Sequence, residues 1–144
     1  NFITMNKTEI NKNTLAAFTF FVALGALTGF VLMMVDPFGT KLGMDGLLQN
    51  LQQSLPCAEA LTKTLIPWGI ALLCVIGLPH VLAGALLLFR RHCSPYVCMF
   101  CAFLLMLWCC LEYYLFGFYI HIIAFFVLGI IEMISAKLYR NRFK

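Results

Sequence analysis

Whatever chemistry this chain performs rests on few groups: six acidic residues, three histidines and seven cysteines among 144 residues. Glu112, His121, His80 and Glu132 fall inside long apolar runs, and Asp36 closes another. An ionisable side chain inside a membrane-crossing segment is costly, so each is a functional candidate. A carboxylate beside an imidazole can hold a proton, bind a cation or anchor a polar headgroup. Counting helical rise, Glu112, His121 and Asp36 lie at similar depth, where Tyr113, Tyr114 or Tyr119 could join them. The plainer alternative is a hydrogen-bonded cluster that ties three helices together. His80, directly after Pro79, and Glu132 differ in depth by only about 4–5 Å and could form a second pair. Two such pairs would be compatible with a proton route. The blander and preferred reading has Glu132 snorkelling toward Lys137 or Arg140.

The cysteines offer less. Cys98 and Cys101 form a CxxC, but disulfide-generating membrane enzymes need cooperating pairs on the oxidising side. Cys57, Cys74 and Cys93 have no partner pattern, and Cys109-Cys110 lies within an apolar run. His92, Cys93, Cys98 and Cys101 lack the second paired set of a metal site. No phosphate loop, nucleophile elbow, zinc-protease motif or dinucleotide fingerprint occurs. No catalytic residue, metal or cofactor is therefore nominated.

The elements that must position these groups are legible from composition. Hydrophobic residues make up 62% of the chain and charged ones 11%, with mean hydropathy +0.93, which excludes a disordered chain, a nucleic-acid module and an ordinary water-soluble enzyme. Four apolar runs, Leu15 to Val35, Leu65 to Phe89, Tyr96 to Phe116 and Tyr119 to Leu138, are each long enough to cross a hydrocarbon core of about 30 Å. The alternation of a membrane barrel strand is absent. The expected fold is a single all-α domain over residues 1–144, a four-transmembrane-helix bundle. Pro79 is expected to kink the second helix and free a carbonyl near residue 75.

Charge sets the expected orientation. With four crossings, Lys7, Lys12, Arg90, Arg91, Lys137, Arg140, Arg142 and Lys144 share one side, eight against the two of Lys41 and Lys63 on the other. The positive-inside rule puts both termini in the cytoplasm. The first helix is too long for a signal h-region, has no small-residue cleavage site and is expected to remain in the mature protein. Asn1 to Thr4 precede Met5, either as native residues or as additions to a chain starting at Met5.

The outer connection carries its own pattern. Met44, Leu47, Leu48, Leu51 and Leu55 share a helical face opposite Gln49, Asn50, Gln52 and Gln53, with Asp45 as N-cap and Pro56 as stop. This predicts an amphipathic helix over about 45–55 in the outer loop between helices 1 and 2. The bland reading is an interfacial connector, and the alternative is a lid folded over the bundle. Gly25 and Gly29 form a GxxxG step, and Gly69, Gly77 and Gly84 run along the second helix. Packing within the chain is the first expectation, and a homodimer the alternative. Trp68, Tyr96 and Tyr119 sit near helix ends, where amphipathic rings favour the interface.

The segment Asp36-Pro37-Phe38-Gly39-Thr40-Lys41-Leu42-Gly43 resembles the Asp-Pro-Ser/Thr-Gly-x-x-Leu-Gly junction of a family of small bacterial four-helix membrane proteins of unknown function. Leu65-Ile66-Pro67-Trp68-Gly69-Ile70 is similar to the family's Ile-Pro-Gly-Leu start of the second helix. Trp108 to Glu112 is similar to its Trp-x-x-x-Glu step in the third. Phe38 stands where the family has a small hydroxyl residue, and Trp68 interrupts its Pro-Gly. The resemblance implies four helices and marks Asp36, Trp108 and Glu112, but supplies no reaction. A more distant similarity to DoxX-type proteins rests on size and topology alone.

The sequence points to a non-enzymatic bacterial inner-membrane protein that binds a lipid or small ligand in an outer pocket. That pocket is framed by Asp36, Trp108, Glu112, Tyr113, His121 and the amphipathic helix, and the protein could serve as a transporter component. The rival readings are an accessory subunit of a larger membrane complex and a thiol-redox enzyme using Cys98 and Cys101. No nucleic-acid partner is expected. Small multidrug exporters of this size use a glutamate in the first helix, which here has none.

Overall fold

The computed structural model describes residues 2–142. Asn1, the open question of the first residues, and Lys144, one of the basic residues counted for orientation, lie outside them. The described chain is all-helical: α1 (Phe2–Val35), α2 (Asp45–Ser54), α3 (Glu59–Thr62), α4 (Ile66–Leu72), a π-helical segment (Leu73–Gly77), α5 (Leu78–Leu88), α6 (Ser94–Phe116) and α7 (Ile120–Arg142). Asn11–Val35, Ile66–Leu88, Ser94–Phe116 and Ile120–Asn141 are long and apolar enough to cross a membrane, so the chain is a multi-pass membrane bundle. The first helix begins well before Leu15, because nothing between Phe2 and Leu15 breaks a helix.

α1 packs against α4–α5 on one flank and α7 on the other, while α6 packs against α7 and α5, giving a four-sided bundle. The turns follow from local chemistry. Asp36 ends α1, its carboxylate accepting the backbone N–H groups of Lys41 and Leu42, each at 2.8 Å. Gly39, at φ +74°, lets the chain double back against the backbone of Met44, where no Cβ would fit. Gly117, at φ +87°, closes α6. α5 ends with the N–H of Arg91 on the Leu86 carbonyl and the N–H of Arg90 on the Leu87 carbonyl. This is a Schellman arrangement, with Arg90 at φ +53° in the place usually taken by glycine.

The second crossing is continuous through Pro79 rather than broken by it. Proline has no N–H for the carbonyl one turn earlier, and the chain accommodates this by widening into the π-helical turn at Leu73–Gly77. The small residues serve contacts within the chain. A Cβ at Gly25 would lie 2.6 Å from the Phe125 ring, one at Gly29 would meet Leu72 at 2.7 Å, and one at Gly84 would meet the Phe20 ring at 2.6 Å. Side chains rather than a second backbone fill the notches.

α2 is packed onto the bundle. It folds back on the end of α6, with Leu51 fully buried among Leu65, Leu115 and Phe116. Asn50 Nδ2 donates to the Phe116 carbonyl at 2.6 Å, and Ser54 Oγ donates to the Leu115 carbonyl at 3.1 Å. These bonds satisfy the carbonyls that a helix C-terminus leaves orphaned, which explains why a polar face can turn inward here. Asp45 is the first residue of α2 rather than its cap, and Met44 occupies the cap position without a side-chain bond. The helix stops before Pro56, as its sequence requires. Trp68 joins the same cluster, its indole edge-on to Phe116 and its Nε1–H donating to the Leu61 carbonyl at 2.9 Å.

Candidate functional site

The bundle contains two polar sites of contrasting construction. The first is a cavity of about 630 Å³ in the half beneath α2. α1 lines it from Phe21 to Met33, a length of about 18 Å. Leu72 and Ile76 form a second wall, Leu105 to Glu112 of α6 a third, and Tyr119, His121 and Phe125 a fourth, with Met44 and Leu47 of the lid segment above. Phe21, Leu24 and Leu32 on α1 are exposed lining residues, as is His121 on α7, so the cavity opens sideways on the bundle surface. In a membrane that side meets lipid.

The walls are overwhelmingly apolar, and the polar groups gather toward the α2 end. Trp108 and Glu112 stand one turn apart on α6, and the indole Nε1–H donates to Glu112 Oε1 at 2.7 Å. This short bond fixes the carboxyl orientation along the wall. Tyr119 and His121 pack ring against ring, with centroids 5.8 Å apart. Among the described residues no hydrogen bond or ion pair joins Glu112 to His121, so the two line the cavity without closing it.

Two other sequence candidates fall elsewhere. Asp36 is 2% exposed, and its bonds to Lys41 and Leu42 make it the anchor of the α1–α2 turn rather than a cavity group. Tyr113 is 59% exposed on the outside of α6, away from the large cavity. The turn from Glu112 to Tyr113 carries the second side chain off the cavity wall and onto the outside of α6. Sequence reasoning missed the hydrophobic walls, above all Phe125 and Leu72, whose signal was the facing pair Gly25 and Gly29.

The second site lies in the other half, where both termini and the Arg90–Cys93 turn gather. His80 and Glu132 are each fully buried, with Nε2 of the imidazole 3.3 Å from Oε2 of the carboxyl. Glu132 therefore pairs across the bundle and does not snorkel to Lys137 or Arg140. Its depth within the four helices leaves no route to the surface, and His80 supplies a partner close at hand. Thr19 Oγ1 donates to the Leu15 carbonyl at 2.8 Å and lies 3.4 Å from Glu132 Oε1. Ala83, Ala102 and Ala136, all fully buried, keep the helices close enough to seal this half.

Cys98 and Cys101 belong to the same sealed core, with the Cys101 thiol donating to the Pro79 carbonyl at 3.4 Å. Both are free thiols, at most 1% exposed. Among the described residues no group of three metal-ligating side chains converges. Comparison with family models, with curated proteins and with solved structures finds no match for this chain.

Proposed function

We propose that this protein binds a lipid or another hydrophobic small molecule in the cavity beneath α2, its polar end held at Glu112 and Trp108. One observation carries the reading: a large apolar cavity with its ionisable groups at one end, opening sideways on the bundle surface. That shape matches an amphiphile entering from the membrane, with a tail along the 18 Å wall of α1, a length of about that size by helical rise. Loading or delivery of such a molecule, alone or as a transporter component, is the function that follows.

The remaining assignments belong to the same proposal. The excess of Lys and Arg at the end carrying both termini supports cytoplasmic termini, with α2 on the outer face. The Asp36–Gly43 and Trp108–Glu112 resemblances support a place among small bacterial inner-membrane proteins. The accessory-subunit reading drew on the glycine faces, and these glycines face the chain's own side chains.

Native mass spectrometry of the protein released from native-lipid nanodiscs tests the proposal. Wild type is expected to retain a defined lipid or small molecule that Glu112→Gln loses. Release of both proteins bare, or with the same loose lipid mixture, refutes it.

A further inference from the structure

The His80–Glu132 pair is separate from the cavity and has a chemistry of its own. His80 Nδ1 lies 2.7 Å from the Ile76 carbonyl oxygen. A carbonyl only accepts, so Nδ1 carries a hydrogen. In a neutral imidazole the other nitrogen, Nε2, is then a bare acceptor, and it faces Glu132 Oε2 at 3.3 Å. Two acceptors cannot hydrogen-bond to each other. The contact makes chemical sense only with a further proton between them, carried either by Nε2 or by the carboxyl.

We propose that His80 and Glu132 form a proton-binding site that holds one transferable proton between Nε2 and the carboxylate, and that this proton ties α5 to α7. With one proton, both arrangements, imidazolium facing carboxylate and imidazole facing carboxylic acid, give a donor opposite an acceptor. Without it, two lone pairs confront each other where neither group reaches water, and the pair must part. With two, a net positive charge is left in an apolar core. The site is therefore stable in one loading state and driven to open in the others. Thr19 Oγ1, which donates to the Leu15 carbonyl at 2.8 Å, also reaches the second carboxyl oxygen, Oε1, at 3.4 Å and so helps to hold the carboxyl in place.

The titratable groups around the site are few. α6 contributes Cys98 and Cys101, and α7 contributes Tyr139 to the same core. α1 presents Thr19, with Lys12 two turns nearer its start. α5 contributes His80 itself. Ile76, whose carbonyl holds the imidazole, also lines the cavity, so the π-helical turn stands between the two sites.

The proton is read from the pH dependence of unfolding in mixed detergent micelles. Between about pH 7 and 9 an unfolded chain carries Glu132 ionised and His80 neutral, so the folded state holds one proton more. Stability then falls as pH rises, and the unfolding equilibrium constant grows about tenfold per pH unit from this site. Glu132→Gln gives Nε2 a permanent N–H donor, and its slope is expected to be shallower by one proton. Wild type and variant are compared in a Cys98→Ala, Cys101→Ala background to remove the thiol titrations, and equal slopes overturn the proposal. A second readout needs no substitution: nitrogen and carbon NMR of His80 and Glu132 in the folded wild type near neutral pH. An imidazolium facing a carboxylate, or a neutral ring facing a carboxylic acid, supports the site. A neutral ring facing an ionised carboxylate, or both groups protonated, overturns it.

Discussion

Each half of the bundle holds a glutamate and a histidine inside the membrane-crossing helices, yet the two pairs have opposite fates. In the half with the termini, His80 and Glu132 meet at 3.3 Å in a core with no exposure. Beneath α2, Glu112 and His121 stay apart on the walls of a cavity of about 630 Å³. Residue type does not distinguish them; packing does. Alanines at 83, 102 and 136 allow the helices around Glu132 to close, and the pair satisfies itself. Under α2 the gaps left by Gly25 and Gly29 receive the Phe125 ring and Leu72, and both of these side chains line the cavity. A polar pair in the closed half joins helices, whereas the same residue types beneath α2 stand apart on the cavity walls.

The contrast can be broken by removing one partner from each pair. Glu132→Ala leaves His80 Nε2 without a partner in a dry core and opens a void. It is expected to cost about 3–5 kcal/mol of stability, measured by unfolding in mixed micelles. A cost under about 1 kcal/mol would mean that the closed half does not depend on its pair.

Next in size is Gly39→Ala, which tests the turn that carries α2 over the cavity. The new Cβ would collide with the Met44 backbone at a positive φ, at a cost of about 1–3 kcal/mol. Faster hydrogen exchange in residues 37–55 is expected, with α5 unchanged. Smaller still, Asn50→Ala leaves the Phe116 carbonyl without its side-chain donor and should cost about 1 kcal/mol. It should also speed ligand exchange with the cavity, read from the dissociation rate of a bound hydrophobic fluorophore.

The smallest stability effect belongs to Glu112→Gln, expected within about 0.5 kcal/mol of wild type, because the amide oxygen can still accept from Trp108. Its effect should fall on ligand retention instead. A large loss of stability here would make Glu112 structural and erase the difference between the halves.

The helices were legible because 20-residue apolar stretches bounded by Asp36-Pro37, Arg90-Arg91 and Gly117 admit little else. The amphipathic pattern from Met44 to Leu55 likewise specified α2, though not where it docks. Its docking depends on Asn50 and Ser54 meeting the last carbonyls of α6, a contact between segments 60 residues apart that no local pattern encodes. Rise arithmetic found the depth match of His80 and Glu132. It could not find their facing, since helix rotation in a bundle is set by neighbours. The same limit grouped Asp36 and Tyr113 with Glu112, whereas Asp36 ties the turn after α1 and Tyr113 faces the outside of α6. Trp108 was marked through resemblance, and the structure gives it a physical task, orienting the Glu112 carboxyl.

The most direct test of the open and closed halves is reaction with a lipid-soluble carbodiimide in membranes near neutral pH, with modified carboxyls located by peptide mass spectrometry. The account predicts that Glu112 is modified, that a hydrophobic amphiphile slows its reaction, and that Glu132 stays unmodified until the bundle is unfolded. Modification of Glu132 at a comparable rate, or protection of Glu112 equal to that of Glu132, would contradict it.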